Sequence, residues 1–309
     1  MKDKTKQTAF GRVKVEEFAE KLNLETLCRG SSPEIRFSKV NVNRPGLFLS
    51  GYYELFPWER VQIIGESEAS YISGMTPEKR REAFEKFFAY DLPCLIITTN
   101  LTPFAEIMSA AEKFGKPVFR STKLTNNVFN DIVLYLNDLL APTESRHGVL
   151  MDIYGVGVML TGDSGIGKSE TALDLIQRGH RLVADDAVTI KYVNDRLVGS
   201  SPDVIRYFME VRGIGIIDVR TMYGAAAVMK AKIIDLVVEM EIWNDAKAYD
   251  RLGLTDQTIE ILGVSIPKIT LPVKPGRNLA ALLEIAAMNR RLKSMGYNSA
   301  EELDKRLKF

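Results

Sequence analysis

The chain has 309 residues, and 41 lysines and arginines face 40 aspartates and glutamates, so the formal net charge is +1. That balance argues against a protein whose main role is to coat nucleic acid or an acidic membrane surface. Hydrophobic residues make up 46% of the chain and charged residues 26%. This composition is typical of a globular protein and too apolar for a disordered one.

Cysteine and histidine are scarce, with two of each in the whole chain. Cys28 and Cys94 lie far apart, which excludes a disulfide scaffold and a cysteine zinc site, and two histidines exclude a histidine-rich metal site. Residues 1–6 lead into no apolar stretch of a secretory signal, and no run approaches 18 apolar residues. We therefore expect a cytoplasmic protein with neither a membrane nor a nucleic acid as partner.

Strand-like and helix-like patterns alternate up to about residue 140. The short apolar runs that predict buried strands are residues 60–65, 93–99 and 117–120. Thr76 and Pro77 suit the cap and first turn of a helix. Residues 103–113 predict a helix that ends at Gly115, and residues 125–140 predict a long amphipathic helix. This alternation predicts a mostly parallel sheet covered by helices.

A polar connection that contains a proline, residues 141–146, predicts a domain boundary. The fold class that we expect is α/β with two domains. Residues 1–140 would form a smaller N-terminal α/β domain, whose role the sequence leaves open. Residues 141–309 would form a C-terminal domain that begins with strands and closes with a helix over about 279–295.

The sharpest motif is GDSGIGKS at residues 162–169, which fits GxxxxGK[ST] without gaps. A buried strand is predicted before it, at 155–160, and a helix after it, at 171–177, which is the confirming context for a phosphate-binding loop. Glycines let the backbone approach phosphate oxygens, and amide groups at the helix start bind the anion. The predicted nucleotide-binding residues are Gly162, Asp163, Ser164, Gly165, Ile166, Gly167, Lys168 and Ser169.

The motif also predicts roles for two side chains: Lys168 would reach the terminal phosphates, and the Ser169 hydroxyl would ligate Mg²⁺. The motif alone does not name a reaction. A GTPase would need an NKxD-like segment and an ABC-type ATPase an LSGGQ-like segment, and the sequence contains neither. A glycine-rich turn without a ligand is the alternative.

Carboxylates follow the loop in two places. Residues 181–184 predict a short strand that ends in Asp185 and Asp186. Beside a phosphate loop, one of them would hold Mg²⁺ or water, and the other would accept a proton from an attacking hydroxyl; a charged turn is the alternative. Glu210 stands among apolar residues in the second unusual stretch, 209–218. It predicts either a Mg²⁺ ligand or an exposed carboxylate on an edge strand.

Basic side chains at three further places are candidates for the site. The patterns around His147 and Arg251 favour, by themselves, an exposed turn and a surface salt bridge. Lys274 and Arg277 stand just before the last predicted helix, where a helix start flanked by cations favours an anion site. A solvated turn is the alternative there.

Together these segments resemble the family of bifunctional HPr kinase/phosphorylases. The segments that carry the resemblance are residues 58–72, 147–162, 162–186, 209–220 and 271–298. The resemblance covers essentially the whole chain and is strongest over 147–298. It implies an enzyme that phosphorylates a serine of HPr, the phosphocarrier protein of the bacterial sugar phosphotransferase system.

The implied donor is ATP or pyrophosphate, and the phosphate is removed again by phosphorolysis, in which inorganic phosphate attacks and pyrophosphate leaves. The resemblance implies a Mg²⁺ cofactor and control of carbon catabolite repression. It also implies a homohexamer and sensing of fructose-1,6-bisphosphate. The C-terminal domain would be a P-loop kinase domain like the phosphate-binding core of phosphoenolpyruvate carboxykinase.

The resemblance also implies residue roles. Lys168 would stabilise the transferring phosphoryl group, and Ser169 and Glu210 would hold the metal. Asp186, with Asp185 beside it, would accept the proton in phosphorylation and donate it in dephosphorylation. The residues that would complete the active site are His147 and Arg251. The stretch implied in both reactions is Met209, Glu210, Val211, Arg212, Gly213, Ile214, Gly215, Ile216, Ile217 and Asp218. The stretch implied mainly in dephosphorylation is Pro272, Val273, Lys274, Pro275, Gly276 and Arg277.

Two other functions remain open from the residues. One is a P-loop kinase that acts on a small metabolite and needs no protein substrate. The other is a nucleotide-sensing regulator, in which nucleotide binding moves the N-terminal domain and no phosphoryl group is transferred. Replacement of Asp186 would leave the second of these intact.

Overall fold

The computed structural model describes residues 10–247 and 257–307. The chain divides into two compact units between Ala141 and Pro142. No helix in the described ranges is long and apolar enough to span a membrane.

The first unit is built on a five-stranded sheet and a separate two-stranded pair. The strands of the unit are β1 (Gly11–Lys14), β2 (Glu25–Cys28), β3 (Glu34–Phe37), β4 (Val42–Asn43), β5 (Val61–Ile64), β6 (Leu95–Ile97) and β7 (Val118–Arg120). The order in the sheet is β2-β7-β6-β5-β4. Strands β4 to β7 are parallel, whereas β2 is antiparallel at one edge. A separate antiparallel pair joins β1 to β3.

Helices cover both faces of this sheet. They are α1 (Val15–Leu22), α2 (Gly46–Leu49), α3 (Glu66–Ser73), α4 (Pro77–Phe88), α5 (Ala105–Phe114) and α6 (Thr125–Leu139). Side chains alternate across each strand, so Ile63 and Ile96 pack with α1 and α6, whereas Ile64 and Ile97 pack with α2 to α5. The central strands β5 and β6 are therefore buried on both faces and apolar except for Gln62, which explains why the sequence shows them as short, mainly apolar runs.

The structure confirms the elements predicted for this unit. Thr76 caps α4, and its hydroxyl oxygen accepts a hydrogen bond from the Lys79 amide at 3.4 Å. Helix α5 ends at Gly115, which adopts the left-handed conformation, although it begins two residues later than predicted. The sheet is mostly parallel, as predicted. No element was predicted before residue 60, where the structure has β1 to β4 and two helices.

The second unit contains two larger sheets and a hairpin. Its strands are β8 (Thr143–His147), β9 (Val149–Ile153), β10 (Val156–Gly162), β11 (Arg181–Ala184), β12 (Ala187–Val193), β13 (Arg196–Ser200), β14 (Phe208–Val211), β15 (Gly215–Asp218), β16 (Ala231–Ile233), β17 (Leu236–Ile242), β18 (Gln257–Ile261) and β19 (Val264–Val273). Its helices are α7 (Lys168–Gln177), α8 (Val219–Tyr223), α9 (Leu279–Ser294) and α10 (Ser299–Leu307).

These elements stack in three layers. The six-stranded sheet has the order β11-β9-β10-β17-β19-β18, and the antiparallel four-stranded sheet has the order β16-β13-β12-β8. One face of the larger sheet, including Val158 and Leu160, packs on α7 and α9. The other face, including Met159, packs on the smaller sheet. The larger sheet thus lies buried between helices and a second sheet.

Three parallel strands fix where the chemistry lies. Strands β10, β17 and β19 run side by side in the same direction. Their carboxyl ends therefore share one edge of the sheet, where Gly162 begins the glycine loop and Val273 leads into the turn before α9. In open α/β sheets, ligands bind at the carboxyl ends of parallel strands.

Strand β9 lies between β10 and β11 and pairs with both of them. The structure corrects two expectations for this unit. Helix α7 begins at Lys168 rather than at 171, because Gly167 is its amino-terminal cap. Helix α9 confirms the predicted span within one residue, but it does not close the domain, because a further helix, α10, follows it.

Gly157→Ala tests the close packing near the start of β10, the strand that leads into the glycine loop. A methyl group at this position would overlap the carbonyl oxygen of Ile233, and a backbone atom cannot rotate away. We expect a loss of about 3 kcal/mol or more in the free energy of unfolding. Urea denaturation followed by tryptophan fluorescence would measure it.

Gly155→Ala is the matched control for this substitution. Gly155 has a φ of 83° and open space around it, so alanine adds strain without overlap. We expect a loss of about 1–2 kcal/mol there. Equal losses in the two variants would contradict the packing argument.

Candidate active site

The glycine loop connects β10 to α7 and depends on glycine at three positions. Gly162, Gly165 and Gly167 have φ values of 135°, 86° and 98°, a region that other residues enter only with strain. At Gly165 a Cβ atom would also lie 2.6 Å from a guanidinium nitrogen of Arg212. At these three positions the loop thus presents its backbone without a side chain. The predicted strand, loop and helix are all present.

Lys168 folds back over this loop. Lys168 is buried, with only 7% of the residue exposed to solvent. The Nζ group donates hydrogen bonds to the carbonyl oxygens of Gly162 at 2.8 Å and Asp163 at 2.9 Å. No carboxylate of the described residues pairs with it. A cation held by main-chain carbonyls at a helix start attracts an anion.

The carboxylate of Asp185, which follows β11, contacts both α7 and β14. It is buried, with 5% of the residue exposed. Its Oδ1 atom accepts a hydrogen bond from the Ser169 hydroxyl at 2.9 Å, and its Oδ2 atom accepts one from the Glu210 amide at 3.3 Å. Burial raises the pKa of Asp185, and these hydrogen bonds only partly oppose that rise. Within the described ranges no cationic side chain pairs with it, so a buried negative charge lies next to the Ser169 hydroxyl.

Asp186 points away from its neighbour into solvent. Its φ of 66° turns the backbone between the two carboxylates. Strand β12 pairs Ala187 with His147 of β8, which brings the His147 Nδ1 atom to 3.0 Å from Asp186 Oδ1. Both side chains are more than half exposed. Asp186 is therefore the more accessible of the two carboxylates, and its exposed side chain is paired with His147.

The hairpin of β14 and β15 forms another wall of the site. Glu210 is exposed there and makes no ion pair with a described residue. The Arg212 Nη2 atom donates a hydrogen bond to the Ser164 hydroxyl at 3.1 Å. The guanidinium group thus lies against the glycine loop beside Gly165. Sequence reasoning placed Arg212 in an important stretch but did not predict this contact.

These groups line one small polar cleft of about 90 Å³. Its lining residues are His147, Val149, Ser164, Gly165, Gly167, Lys168, Ser169, Glu170, Asp185, Asp186, Glu210 and Arg212. The structure therefore brings together, from four separate segments, ten of the predicted site residues, among them the predicted catalytic residues His147, Lys168, Asp185 and Asp186. A larger cleft of about 480 Å³ beside α9 is mainly apolar and holds no titratable group. Arg251 lies outside the described residues.

Residues 274–277 of the 272–277 segment line a different cleft, with Trp243. The Lys274 Nζ atom lies 5.5 Å from the centroid of the Trp243 ring, and Arg277 Nη1 donates to the Pro272 carbonyl oxygen at 2.9 Å. Asn278 caps α9. This segment shares the carboxyl edge of the sheet with the glycine loop, but not its cleft.

The residues around Asp185 fit a hard divalent cation. Asp185, Ser169 and Glu210 offer carboxylate and hydroxyl oxygens, the donors that Mg²⁺ prefers. No group of three His, Cys, Asp or Glu residues suited to a metal occurs among the residues that the structure describes. Such a site is therefore not a full protein cage. Mg²⁺ usually keeps several waters and takes substrate phosphate oxygens as further ligands.

Two family descriptions match this sequence and together span nearly all of it. Residues 138–307 match the HPr Serine kinase C-terminal domain. Residues 13–136 match the HPr Serine kinase N terminus. The two matches meet within a few residues of the division between the compact units.

Curated relatives match over almost their whole length. The HPr kinase/phosphorylase of Caldanaerobacter subterraneus is 50% identical over 297 residues, which cover 96% of this chain and 97% of the relative. The HPr kinase/phosphorylase of Caldicellulosiruptor bescii is 50% identical over 288 residues, 93% of each chain. The solved Hpr(Ser) kinase/phosphatase of Coxiella burnetii is 39% identical, with a TM-score of 0.48, and covers 52% of this chain and 98% of its own.

Asp185→Asn tests the buried charge. The folded state raises the pKa of Asp185, so it binds this proton more tightly than the unfolded chain does. The ionised carboxylate therefore lowers stability at neutral pH, and the loss disappears as the pH falls through the raised pKa. An asparagine keeps both hydrogen bonds if its amide donates to Ser169. We expect a higher thermal midpoint at pH 7.5 in the ligand-free protein.

Thermal unfolding at several pH values would measure this difference, which should shrink in acid. Asp163→Asn is the matched control, because it removes an exposed carboxylate from the same loop. A lower midpoint for Asp185→Asn at pH 7.5, or a gain that persists in acid, would contradict the argument.

Proposed function

The chain belongs to the HPr serine kinase family, and on that basis we propose that it is a bifunctional protein-serine kinase and phosphorylase. It transfers a phosphoryl group from ATP or pyrophosphate to a serine of HPr, and it removes that group by phosphorolysis. The cleft that joins Lys168, Ser169 and the Asp185–Asp186 pair to His147 is the observation that carries the proposal. Relatives named for this activity, half identical over nearly the whole chain, support it.

Phosphate binding is proposed for the glycine loop, residues 162–169, as in a P-loop kinase domain. Its amide groups and the start of α7 attract negative charge, and Lys168 already lies over the loop. When phosphates arrive, Lys168 exchanges carbonyl oxygens for phosphate oxygens, which are stronger acceptors for an ammonium group. Arg212, next to Gly165, adds a second cation at the same loop.

A Mg²⁺ ion is proposed next to Ser169, held by the Ser169 hydroxyl and Glu210 with Asp185 beside them. When bound, it neutralises negative charge on the transferring phosphoryl group. The buried, unpaired charge of Asp185 supports this position. A cation there also lowers the pKa of Asp185 and keeps it ionised.

Asp186 is proposed as the group that moves the proton. In the kinase direction it takes the proton of the seryl hydroxyl while the new O–P bond forms and the donor's phosphoanhydride bond breaks. In the phosphorylase direction an oxygen of inorganic phosphate attacks the phosphoserine phosphorus. Asp186 then returns the proton to the serine oxygen, and pyrophosphate leaves. Asp185 is too buried for this task, whereas Asp186 is exposed and held by His147.

The remaining residue roles rest on the family membership. Arg251 would complete the active site, the 209–218 stretch would serve both reactions, and the 272–277 segment would serve mainly dephosphorylation. Its position at the same sheet edge as the glycine loop supports access to a shared substrate.

Assembly and regulation are likewise proposed from the family. The protein would be a cytoplasmic homohexamer that senses fructose-1,6-bisphosphate and controls carbon catabolite repression. Its C-terminal domain would resemble the phosphate-binding core of phosphoenolpyruvate carboxykinase.

The first test combines purified protein, Mg²⁺, ATP and HPr, with intact mass as readout. We expect HPr to gain one phosphate on a serine and to lose it when excess inorganic phosphate is added, with release of pyrophosphate. A gain that phosphate cannot reverse would leave a plain protein kinase. No gain, with nucleotide still bound, would favour a small-molecule kinase or a nucleotide sensor.

Asp186→Asn should abolish transfer in both directions, because the amide can neither accept nor return the proton. A loss of about 10²–10⁴-fold in kcat is expected for a missing general base. Nucleotide affinity, measured by calorimetry without HPr, should stay close to that of the wild type. Transfer at the wild-type rate would show that another group moves the proton.

Arg277→Ala should reduce phosphorolysis more than kinase activity, since this arginine braces the 272–277 turn through Pro272. Initial rates in both directions, measured on the same preparation, would give the ratio. Lys274→Ala, in the same turn, separates the loss of one cation from the loss of the brace. Equal losses in both directions would remove the reason to assign this segment to one reaction.

A further inference from the structure

The outer face of the β14–β15 hairpin carries apolar side chains beside the polar cleft. Residues directly opposite in an antiparallel pair share a face, and the register places Ile216 opposite Glu210. Phe208 lies two residues before Glu210 and so shares that face as well. Glu210 lines the cleft, whereas Met209 and Val211 point the other way and are buried.

Three side chains of this hairpin are unusually open to solvent. Ile216 is 76% exposed, Ile214 at the tip is 75% exposed and Phe208 is 44% exposed. Single exposed apolar residues are common on protein surfaces, but a group of them beside a functional cleft marks an interaction site. We call Phe208, Ile214 and Ile216 the hairpin patch.

The cleft cannot by itself bind a folded protein. Its volume of about 90 Å³ suits a phosphate group or a single side chain. Protein partners gain most of their affinity from a few apolar anchors buried at the contact. For a serine on a folded partner to reach Asp186, the surface around that serine must come against the rim of the cleft. Glu210 and Arg212 belong to that rim, so the hairpin patch lies where the partner must approach.

We propose that the hairpin patch is the docking site for the protein substrate, and that it contacts apolar side chains surrounding the target serine. This inference rests on the proposed protein-serine kinase function. It identifies the partner surface by chemistry: a folded protein whose phosphorylated serine stands within an apolar patch. It also divides the exposed side of the hairpin between two tasks, because Glu210 and Arg212 line the polar cleft while the hairpin patch contacts protein.

The test uses Ile216→Thr and Phe208→Thr in the full-length enzyme. Threonine has high strand propensity and, at Ile216, keeps the β-branched shape, but at both positions it removes the apolar anchor. We expect the KM for HPr to rise about tenfold in each variant, the effect of losing one interface anchor. MgATP affinity, measured by calorimetry without HPr, shows whether the hairpin and loop stay folded and should change less than twofold. Leu134→Ala is the matched control, because Leu134 is 67% exposed on α6 of the first unit.

Each other outcome overturns the proposal. An unchanged KM for HPr in both variants removes docking from the hairpin patch. A changed oligomeric state in sedimentation, together with the altered KM, assigns the patch to a contact between copies of this chain. A parallel loss of MgATP affinity assigns it to nucleotide binding. Wild-type protein that never phosphorylates HPr refutes the proposed function itself, and this result is seen before any variant is measured.

Discussion

The site depends on one buried carboxylate more than on any other group. Asp185 accepts hydrogen bonds from the first turn of α7 and from the backbone of β14, while its own chain continues β11. It therefore holds the helix that begins the phosphate site against the hairpin that closes it. Such a group is costly to bury without a cation. A divalent ion held beside Ser169, as proposed, would offset that cost.

Adjacent residues with opposite environments give the site two kinds of carboxylate. Asp185 is buried and bonded on both oxygens, whereas Asp186, turned by its positive φ, is open to solvent and paired with His147. Nearby titratable groups in contrasting environments often divide the tasks of charge and proton handling. Here the division is made by a single backbone conformation rather than by distance along the chain.

The features that could be predicted from the sequence are those that depend on residues close together in the chain. The glycine loop carries its geometry within eight residues, and helix α4 carries its own cap at Thr76. Strands β5, β6 and β7 were predicted because each lies in a short, mainly apolar run, whereas β1 to β4 are too short or too polar to give that signal. What could not be predicted depends on partners far along the chain: β9 lies between β10 and β11, and Arg212 bonds to Ser164 across 48 residues. A period-two analysis of residues 208–217 was the signal that could have separated the two faces of the hairpin.

The bond between Arg212 and Ser164 has a consequence for binding at the two elements that it joins. It ties the hairpin to the glycine loop by one exposed hydrogen bond, and phosphate oxygens bound at the loop, as proposed, would compete for the same guanidinium group. Phosphate binding at the loop and partner binding at the hairpin would then be thermodynamically linked, and such linkage is reciprocal. A partner that binds the hairpin would change the affinity for phosphate by the same factor by which phosphate changes the affinity for that partner. One side-chain contact would thus couple the two substrates without fixing the order in which they bind.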